Sequence, residues 1–402
     1  MKNNKNERIR PGFWVAFGFV FLIAFLLLSI LGNRWYTYLV AGAAGFAVLM
    51  IRTKLPLNGI RCAALWVMCI GILALSIYFG RSTLSVSFTG DLFNKGVRSV
   101  NHIYVRFTGT TIFHNAMLNG QPQSYVFGNW KVPEGYQNSI IPLSKSSAYL
   151  LTKDSGNHAK AIFQLHGGGY VGVFQDIYND RALQYAANYD DADVFSLDYR
   201  TAPKNLFPGA LEDAVEGYHW LLEHGYEAEN IIFCGDSAGG GLALATALYL
   251  RDHDLPLPKM LILSSPWTDL SAEGESYSTN LTKDAIFGYP SAEMAPRYPV
   301  PILYAGDHDL RDPYLSPAYG DYTAMPPMLI QTGADEILLS DSRTVAEKAS
   351  NMKIPCGVEP PREAVSKAEP RNAPAHGVQL MEKTIPRSTK DKKPGLSTYA
   401  VF

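Results

Sequence analysis

From about residue 146 onward, short apolar runs alternate with stretches of helical period. The runs Ala161-Ile162-Phe163-Gln164-Leu165, Val194-Phe195-Ser196-Leu197, Ile231-Ile232-Phe233-Cys234, Met260-Leu261-Ile262-Leu263 and Met328-Leu329-Ile330-Gln331 show no alternation of apolar and polar positions. That pattern predicts strands covered on both faces. Helical period recurs at 178–188, 209–224, 238–251 and 341–351. Strand followed by helix, several times over, predicts an α/β fold with a mostly parallel central sheet. Residues 265–327 are too long for a plain strand–helix connection and predict an inserted cap within a main domain at 146–358. Residues 81–145 mix aromatic and β-branched positions without a clean period, which reads as a connector and N-terminal cap element. Residues 359–402 hold six prolines in 44 residues with scattered Lys and Arg, an atypical tail that reads as loop or disorder.

The first eighty residues differ in kind. Runs without charge span 23 residues between Arg10 and Arg34, 17 between Arg34 and Arg52, and 19 between Arg61 and Arg81. A helix crosses a bilayer with about 20 apolar residues, so residues 1–80 are expected to be a membrane anchor of three transmembrane helices. The 35–51 segment is short for a span, and its small residues Gly42, Ala43, Ala44 and Gly45 would let helices approach closely. A cleaved signal peptide fits less well, because the first run is long and another follows at once. Positive charges cluster before the first run and at 52–61, which with three spans places the domain after residue 81 outside the cytoplasm. The expected localisation is multi-pass membrane, with the lipid bilayer as a partner.

Charge sharpens the contrast. The chain of 402 residues carries a formal net charge of −2. Residues 1–80 carry eight Lys/Arg against Glu7 alone, a charge of +7, so the remaining 322 residues carry −9. An acidic main domain argues against nucleic acid as a partner. Four cysteines imply no disulfide framework. Asp307-His308-Asp309 and Asp312 resemble metal ligands, but no matching His or Cys partner appears. They read as a solvated loop, and no metal or cofactor is expected.

The chemistry-bearing signal is Gly235-Asp236-Ser237-Ala238-Gly239, directly after a predicted strand and before a predicted helix. It is the G-x-S-x-G arrangement in which a serine on a strained turn is lifted above the sheet edge. Gly235 and Gly239 remove side chains that would collide across that turn, Asp236 stands between them, and the following helix points its N-terminus at the site. A second signal, His166-Gly167-Gly168-Gly169, follows the first strand of the main domain, 71 residues before Ser237. Glycines let backbone N–H groups approach a substrate oxygen closely, so Gly168, Gly169 and Ala238 are candidate donors to an oxyanion. His166 and Gly167 read as residues that support this loop.

Together with Asp198-Tyr199-Arg200-Thr201-Ala202-Pro203, Phe207-Pro208, Ser265-Pro266-Trp267-Thr268-Asp269-Leu270 and Ser316-Pro317, these motifs resemble the hormone-sensitive-lipase-like family of α/β-hydrolases over about residues 146–356. The resemblance implies an α/β-hydrolase fold with a cap. It also implies cofactor-free hydrolysis of small-molecule esters with modest acyl groups, and a structural role for Asp213. It places the triad acid two residues before a leucine in Gly333-Ala334-Asp335-Glu336-Ile337-Leu338, which points to Glu336, with Asp335 as the alternative. Asp341 reads as a cap of the helix that follows.

Chain order in such triads is serine, acid, histidine. Of nine histidines only His376 follows Glu336, so it is the candidate base. It comes about twenty residues after the last predicted strand, twice the family's spacing, inside the Pro/Lys-rich tail. Two readings follow: a longer loop delivers His376, or the tail is not the native one. The resulting expectation is a serine hydrolase of carboxylic esters. The alternatives are a catalytically impaired hydrolase fold that binds, and an acyltransferase with the same triad.

Overall fold

The computed structural model describes residues 11–30, 35–54, 59–80, 88–119, 130–296 and 302–359. Its contacts divide the chain into two compact units, one running to Val100 and the other from Asn101.

The first unit contains α1 (Pro11–Ile30), α2 (Trp35–Lys54), α3 (Gly59–Gly80) and the first part of α4 (Phe88–Thr108). Ala24, Leu28, Ala41, Val48, Leu65, Cys69 and Leu73 are buried in one cluster. Among the described residues no helix is long and apolar enough to cross a membrane. This overturns the expected three-span anchor and multi-pass localisation, and leaves the bilayer unsupported as a partner. The expectation rested on uncharged run length. That length alone does not make a bilayer span; α1, α2 and α3 bury Leu28, Val48 and Leu73 in one cluster, while Phe19, Phe46 and Val67 stay exposed.

The second unit contains the end of α4, then α5 (Ile112–Asn119), β1 (Tyr136–Pro142), β2 (Ser147–Lys153), β3 (Asn157–Leu165), α6 (Asp176–Asn188), β4 (Ala192–Asp198), α7 (Gly209–Glu223), β5 (Ile231–Asp236), α8 (Ala238–Asp252), β6 (Met260–Ser264), the single turn α9 (Ser276–Thr279), β7 (Met328–Gln331), α10 (Leu339–Asn351) and β8 (Cys356–Glu359). The strands form one sheet in the order β1-β2-β4-β3-β5-β6-β7-β8. The pairs β1/β2 and β2/β4 are antiparallel and the rest are parallel. Each apolar run quoted above lies in a strand, which establishes the α/β fold with a mostly parallel sheet.

The uninterrupted apolar runs follow from cover on both faces. On β3, Ala161, Phe163 and Leu165 enter a core built with α7 and α8, where Phe163, Phe195 and Phe233 meet Tyr218 and Leu242. Ile162 faces the other way, into a core with Val194, Ile232, Cys234 and Ala182 and Ala186 of α6. Each such side chain contributes about 1.5–3 kcal/mol when fully buried, so neither face tolerates a polar alternation.

The register aligns the strand ends that matter. Leu165 pairs with Gly235, Asp236 with Ser264, and Ser264 with Gln331. The loops leaving β3, β5, β6 and β7 therefore emerge side by side at the carboxyl edge of the sheet.

Candidate active site at the carboxyl edge of the sheet

Ser237 links β5 to α8 with φ 52° and ψ −122°, a conformation that L residues with a side chain avoid. Three hydrogen bonds over-determine it. Its N–H donates to the Ser264 carbonyl at 2.9 Å, and its own carbonyl accepts from Gly241 N–H at 3.1 Å and Trp267 N–H at 2.9 Å. The flanking glycines are steric requirements: a Cβ on Gly235 would lie 2.3 Å from the Gly239 carbonyl oxygen, and one on Gly239 would lie 2.1 Å from the Leu165 carbonyl oxygen. That second approach lays the turn directly against the start of the glycine loop.

The loop itself turns on Gly168 (φ 117°), Gly169 (φ 62°) and Tyr170 (φ 60°). The Gly168 carbonyl accepts from Val171 N–H at 3.1 Å and Gly172 N–H at 2.8 Å, which closes the turn. His166 is fully buried. Its ring stacks on Tyr199 at 4.1 Å, and its Nδ1 lies 2.7 Å from the Gly167 carbonyl. Burial pushes the imidazole down to about 4, so at neutral pH it is an uncharged strut of the loop.

A second tie joins loop and turn. Gly167 N–H donates to the Tyr178 hydroxyl at 2.8 Å, and that hydroxyl donates to Asp236 Oδ2 at 3.2 Å. Arg181 donates to Asp236 Oδ1 at 3.0 Å. Burial raises the Asp236 carboxyl, while Arg181 and Tyr178 oppose the shift by favouring its ionised form. Tyr178 and Arg181 sit three residues apart on α6, a spacing that shares one helix face. The helical period was visible in the chain, but nothing in it marked that face as reaching the glycine loop.

After β7 the chain makes the turn Gly333-Ala334-Asp335-Glu336. Asp335 is exposed. Glu336 is partly buried, its Oε1 accepts from Gly333 N–H at 3.0 Å, and burial pushes its carboxyl up to about 7. The neighbouring Asp284 carboxylate raises it further, whereas hydrogen bonds from Ser265 and Gly333 lower it. Asp341 does not cap α10. It lies within the first turn, and its Oδ2 accepts from the N–H groups of Thr268 at 2.8 Å and Asp269 at 2.9 Å. Those amides belong to the strand-exit loop after β6, and pairing with them takes the carboxylate away from its own helix end. Asp213 is also committed: it accepts from Arg200 Nε at 2.8 Å and Arg200 N–H at 2.8 Å.

Ser237 opens into a narrow pocket walled by Phe113, His114, Trp267, Leu270, Tyr277, Phe287 and Ile302 and by Ile337 and Leu338 of the turn that carries Glu336. Phe113 and His114 of α5 come from the stretch that showed no clean period. His114 Nδ1 lies 2.9 Å from the Tyr289 hydroxyl, and burial pushes its imidazole down to about 4. The structure thus brings together Ser237, Asp236, Ala238, Gly235, Gly239 and the loop from His166 to Gly169. The turn of Asp335 and Glu336 borders the same pocket. His376 lies outside the described residues. Among the described residues no group of three or more His, Cys, Asp or Glu side chains could hold a metal ion. Asp309 and Asp312 instead accept from the N–H groups of Arg311 at 3.0 Å and Tyr314 at 2.8 Å.

The chain matches the family described as alpha/beta hydrolase fold over residues 162–364. It is 37% identical over 236 residues to the acetyl-hydrolase of Streptomyces hygroscopicus, covering 58% of this chain and 75% of that relative. It is 32% identical over 203 residues to an esterase of Acinetobacter venetianus, covering 50% of this chain and 65% of that relative. Among solved structures it resembles an esterase from the bacterial hormone-sensitive lipase family at 34% identity and a TM-score of 0.50, over 58% of this chain and 76% of that one. It also resembles EstE5 soaked with p-nitrophenyl butyrate at 29% identity and a TM-score of 0.55, over 67% of this chain and 88% of that one.

Proposed function

This chain belongs to the α/β-hydrolase fold family, and from that premise we propose that it hydrolyses esters of small acyl groups through an acyl-enzyme on Ser237. Its relatives carry the names acetyl-hydrolase, esterase and carboxylesterase, and the protein is a serine hydrolase that cleaves carboxylic esters. The observation that carries the site assignment is the strained Ser237 turn lying directly against the glycine loop at the sheet's carboxyl edge. A serine forced into that conformation projects its hydroxyl away from the sheet, toward the pocket it lines.

In the proposed mechanism the Ser237 hydroxyl attacks the ester carbonyl carbon as His376 removes its proton. Glu336, rather than the exposed Asp335, accepts the imidazole N–H and stabilises the imidazolium that forms. The carbonyl oxygen becomes an oxyanion held by the N–H groups of Gly168, Gly169 and Ala238. Each such donor is worth about 2.7–4 kcal/mol of barrier. The first N–H groups of a helix lack intrahelical partners, which suits Ala238 at the start of α8 to this role. Collapse returns the proton to the leaving alcohol. Water activated by the same imidazole then releases the acid and restores Ser237. The acyl group would lie against the ring-lined wall of the narrow pocket beside the nucleophile.

A fluorophosphonate probe tests the proposal on the full chain. Ser237 should label covalently, and hydrolysis of p-nitrophenyl acetate should disappear in Ser237→Ala. Wild-type protein left unlabelled, or turnover that survives Ser237→Ala, would refute the assignment.

A further inference from the structure

Between β6 and β7, residues 280–289 form a segment that touches the acid turn on one side and the pocket on the other. Asp284, buried to 3% exposure, accepts three backbone N–H groups. Its Oδ1 takes Ile286 at 2.7 Å and Phe287 at 2.9 Å, and its Oδ2 takes Ile337 at 2.8 Å. Ile337 directly follows Glu336. Asn280 completes the clamp by donating to the carbonyls of Ala334 at 2.9 Å and Glu336 at 2.8 Å. Phe287 walls the pocket beside Ser237 and meets the Phe113 ring edge-on at 4.8 Å.

We infer that Asp284 is a positioning residue, one carboxylate that holds the Glu336 turn and the Phe287 pocket wall as a single piece. The inference rests on Glu336 being the triad acid. Only a carboxylate offers acceptors at both ends to three amides; an asparagine in that place would turn its NH₂ toward at least one of them. The choice carries an electrostatic consequence. Asp284 sets a second negative charge behind Glu336. The other charged groups near it are Asp335, which faces Asp284 from the acid turn itself, and Lys283, whose Nζ is held 3.0 Å from Asn280 Oδ1. Asp284 therefore disfavours ionisation of Glu336 and favours the imidazolium that Glu336 supports. Removing its charge lowers both proton affinities, so both effects move the acid limb of the pH–rate profile to lower pH.

The test compares wild type, Asp284→Asn and Asp284→Glu as full chains. The readouts are the pH dependence of kcat/KM from about pH 5 to 9, the butyrate-to-acetate preference for p-nitrophenyl esters, and the melting temperature. In Asp284→Asn the acid limb is expected to fall by about half a pH unit or more, kcat to drop about tenfold, and the acyl preference to change as the Phe287 wall loosens. Asp284→Glu keeps the charge and is expected to leave the limb in place. A uniform loss across pH, with limb and preference unmoved, would show a purely structural residue and overturn the inference.

Absence of turnover in the wild type, or turnover in Ser237→Ala, counts instead against the esterase site. In that event melting temperatures still decide, because the stability lost between about pH 5 and 7 should shrink in Asp284→Asn. An unchanged pH dependence of melting overturns the inference. Should Asp284→Asn fail to fold, Asn280→Ala probes the same clamp. It should lower kcat at least about fivefold with Ser237 still labelled, and an unaltered kcat would overturn the inference.

Discussion

Tyr178→Phe removes one oxygen atom from the tie between the glycine loop and the serine turn. In the wild type that oxygen accepts the Gly167 N–H at 2.8 Å and donates to Asp236 Oδ2 at 3.2 Å. The phenylalanine ring fills the same space. Gly167, itself buried, loses that acceptor and is left with the Asp236 carboxylate, which keeps Arg181 at 3.0 Å. Losing one hydrogen bond at a buried amide costs about 0.5–1.5 kcal/mol. The loop recovers that cost by moving Gly167 further onto the Asp236 carboxylate, which carries Gly168 and Gly169 with it. Donors aimed at an oxyanion are sensitive to such movement, and a misplacement of about 1 Å can cost about 10²-fold in rate. The expectation is a kcat for p-nitrophenyl acetate reduced about 10- to 100-fold with KM within about twofold, because the lost interaction matters most in the tetrahedral state. Steady-state kinetics with a parallel melting curve measure both parts. A variant with wild-type kcat and only a lowered melting temperature would refute the coupling of Tyr178 to the oxyanion loop.

Two further outcomes follow from the same geometry. Gly239→Ala places a Cβ 2.1 Å from the Leu165 carbonyl oxygen and 2.4 Å from that of His166. Backbone atoms cannot swing aside, so fluorophosphonate labelling should fall at least about 100-fold in whatever folded protein is recovered, and full labelling would contradict the close approach of turn and loop. Glu336→Gln isolates a pH-dependent cost. The folded-state value of this acid is raised from 4.5 to about 7. The folded state therefore holds that proton more tightly than the unfolded one, and its contribution is fully present below about 4.5 and lost as pH climbs through about 7. The loss is on the order of 3 kcal/mol. Comparing melting temperatures at about pH 5 and 7.5, the wild type should lose stability relative to Glu336→Gln at the higher pH; a constant gap between the two proteins would refute the assigned burial of this carboxyl.

The parts of this protein legible in its sequence are those whose requirements are met by neighbours along the chain. The strands at 161–165, 194–197, 231–234, 260–263 and 328–331 announce themselves because cover on both sheet faces forbids polar alternation. The serine turn is legible because Gly235 answers a clash with Gly239 within the same five residues, although Gly239 itself answers the distant carbonyls of Leu165 and His166. Contacts made across strand ends left no such mark. Asp341 shows why: within its own segment it has the chemistry of a helix cap, yet the amides of Thr268 and Asp269, more than seventy residues earlier, bind its carboxylate. The same distance hides Asp284 from Ile337, and α5, with Phe113 and His114, from Ser237. The uncharged runs of residues 1–80 misled for a related reason, since run length reports apolarity but not what the apolar surface meets. A parallel sheet gathers at one edge loops that are far apart in sequence, and the chemistry forms where they meet. Local motifs there point to the proposed nucleophile. The residues that tie its neighbouring loops together — Tyr178, Asp284, Asn280 — are set by register, because Leu165 opposite Gly235 and Ser264 opposite Gln331 decide which loops can touch.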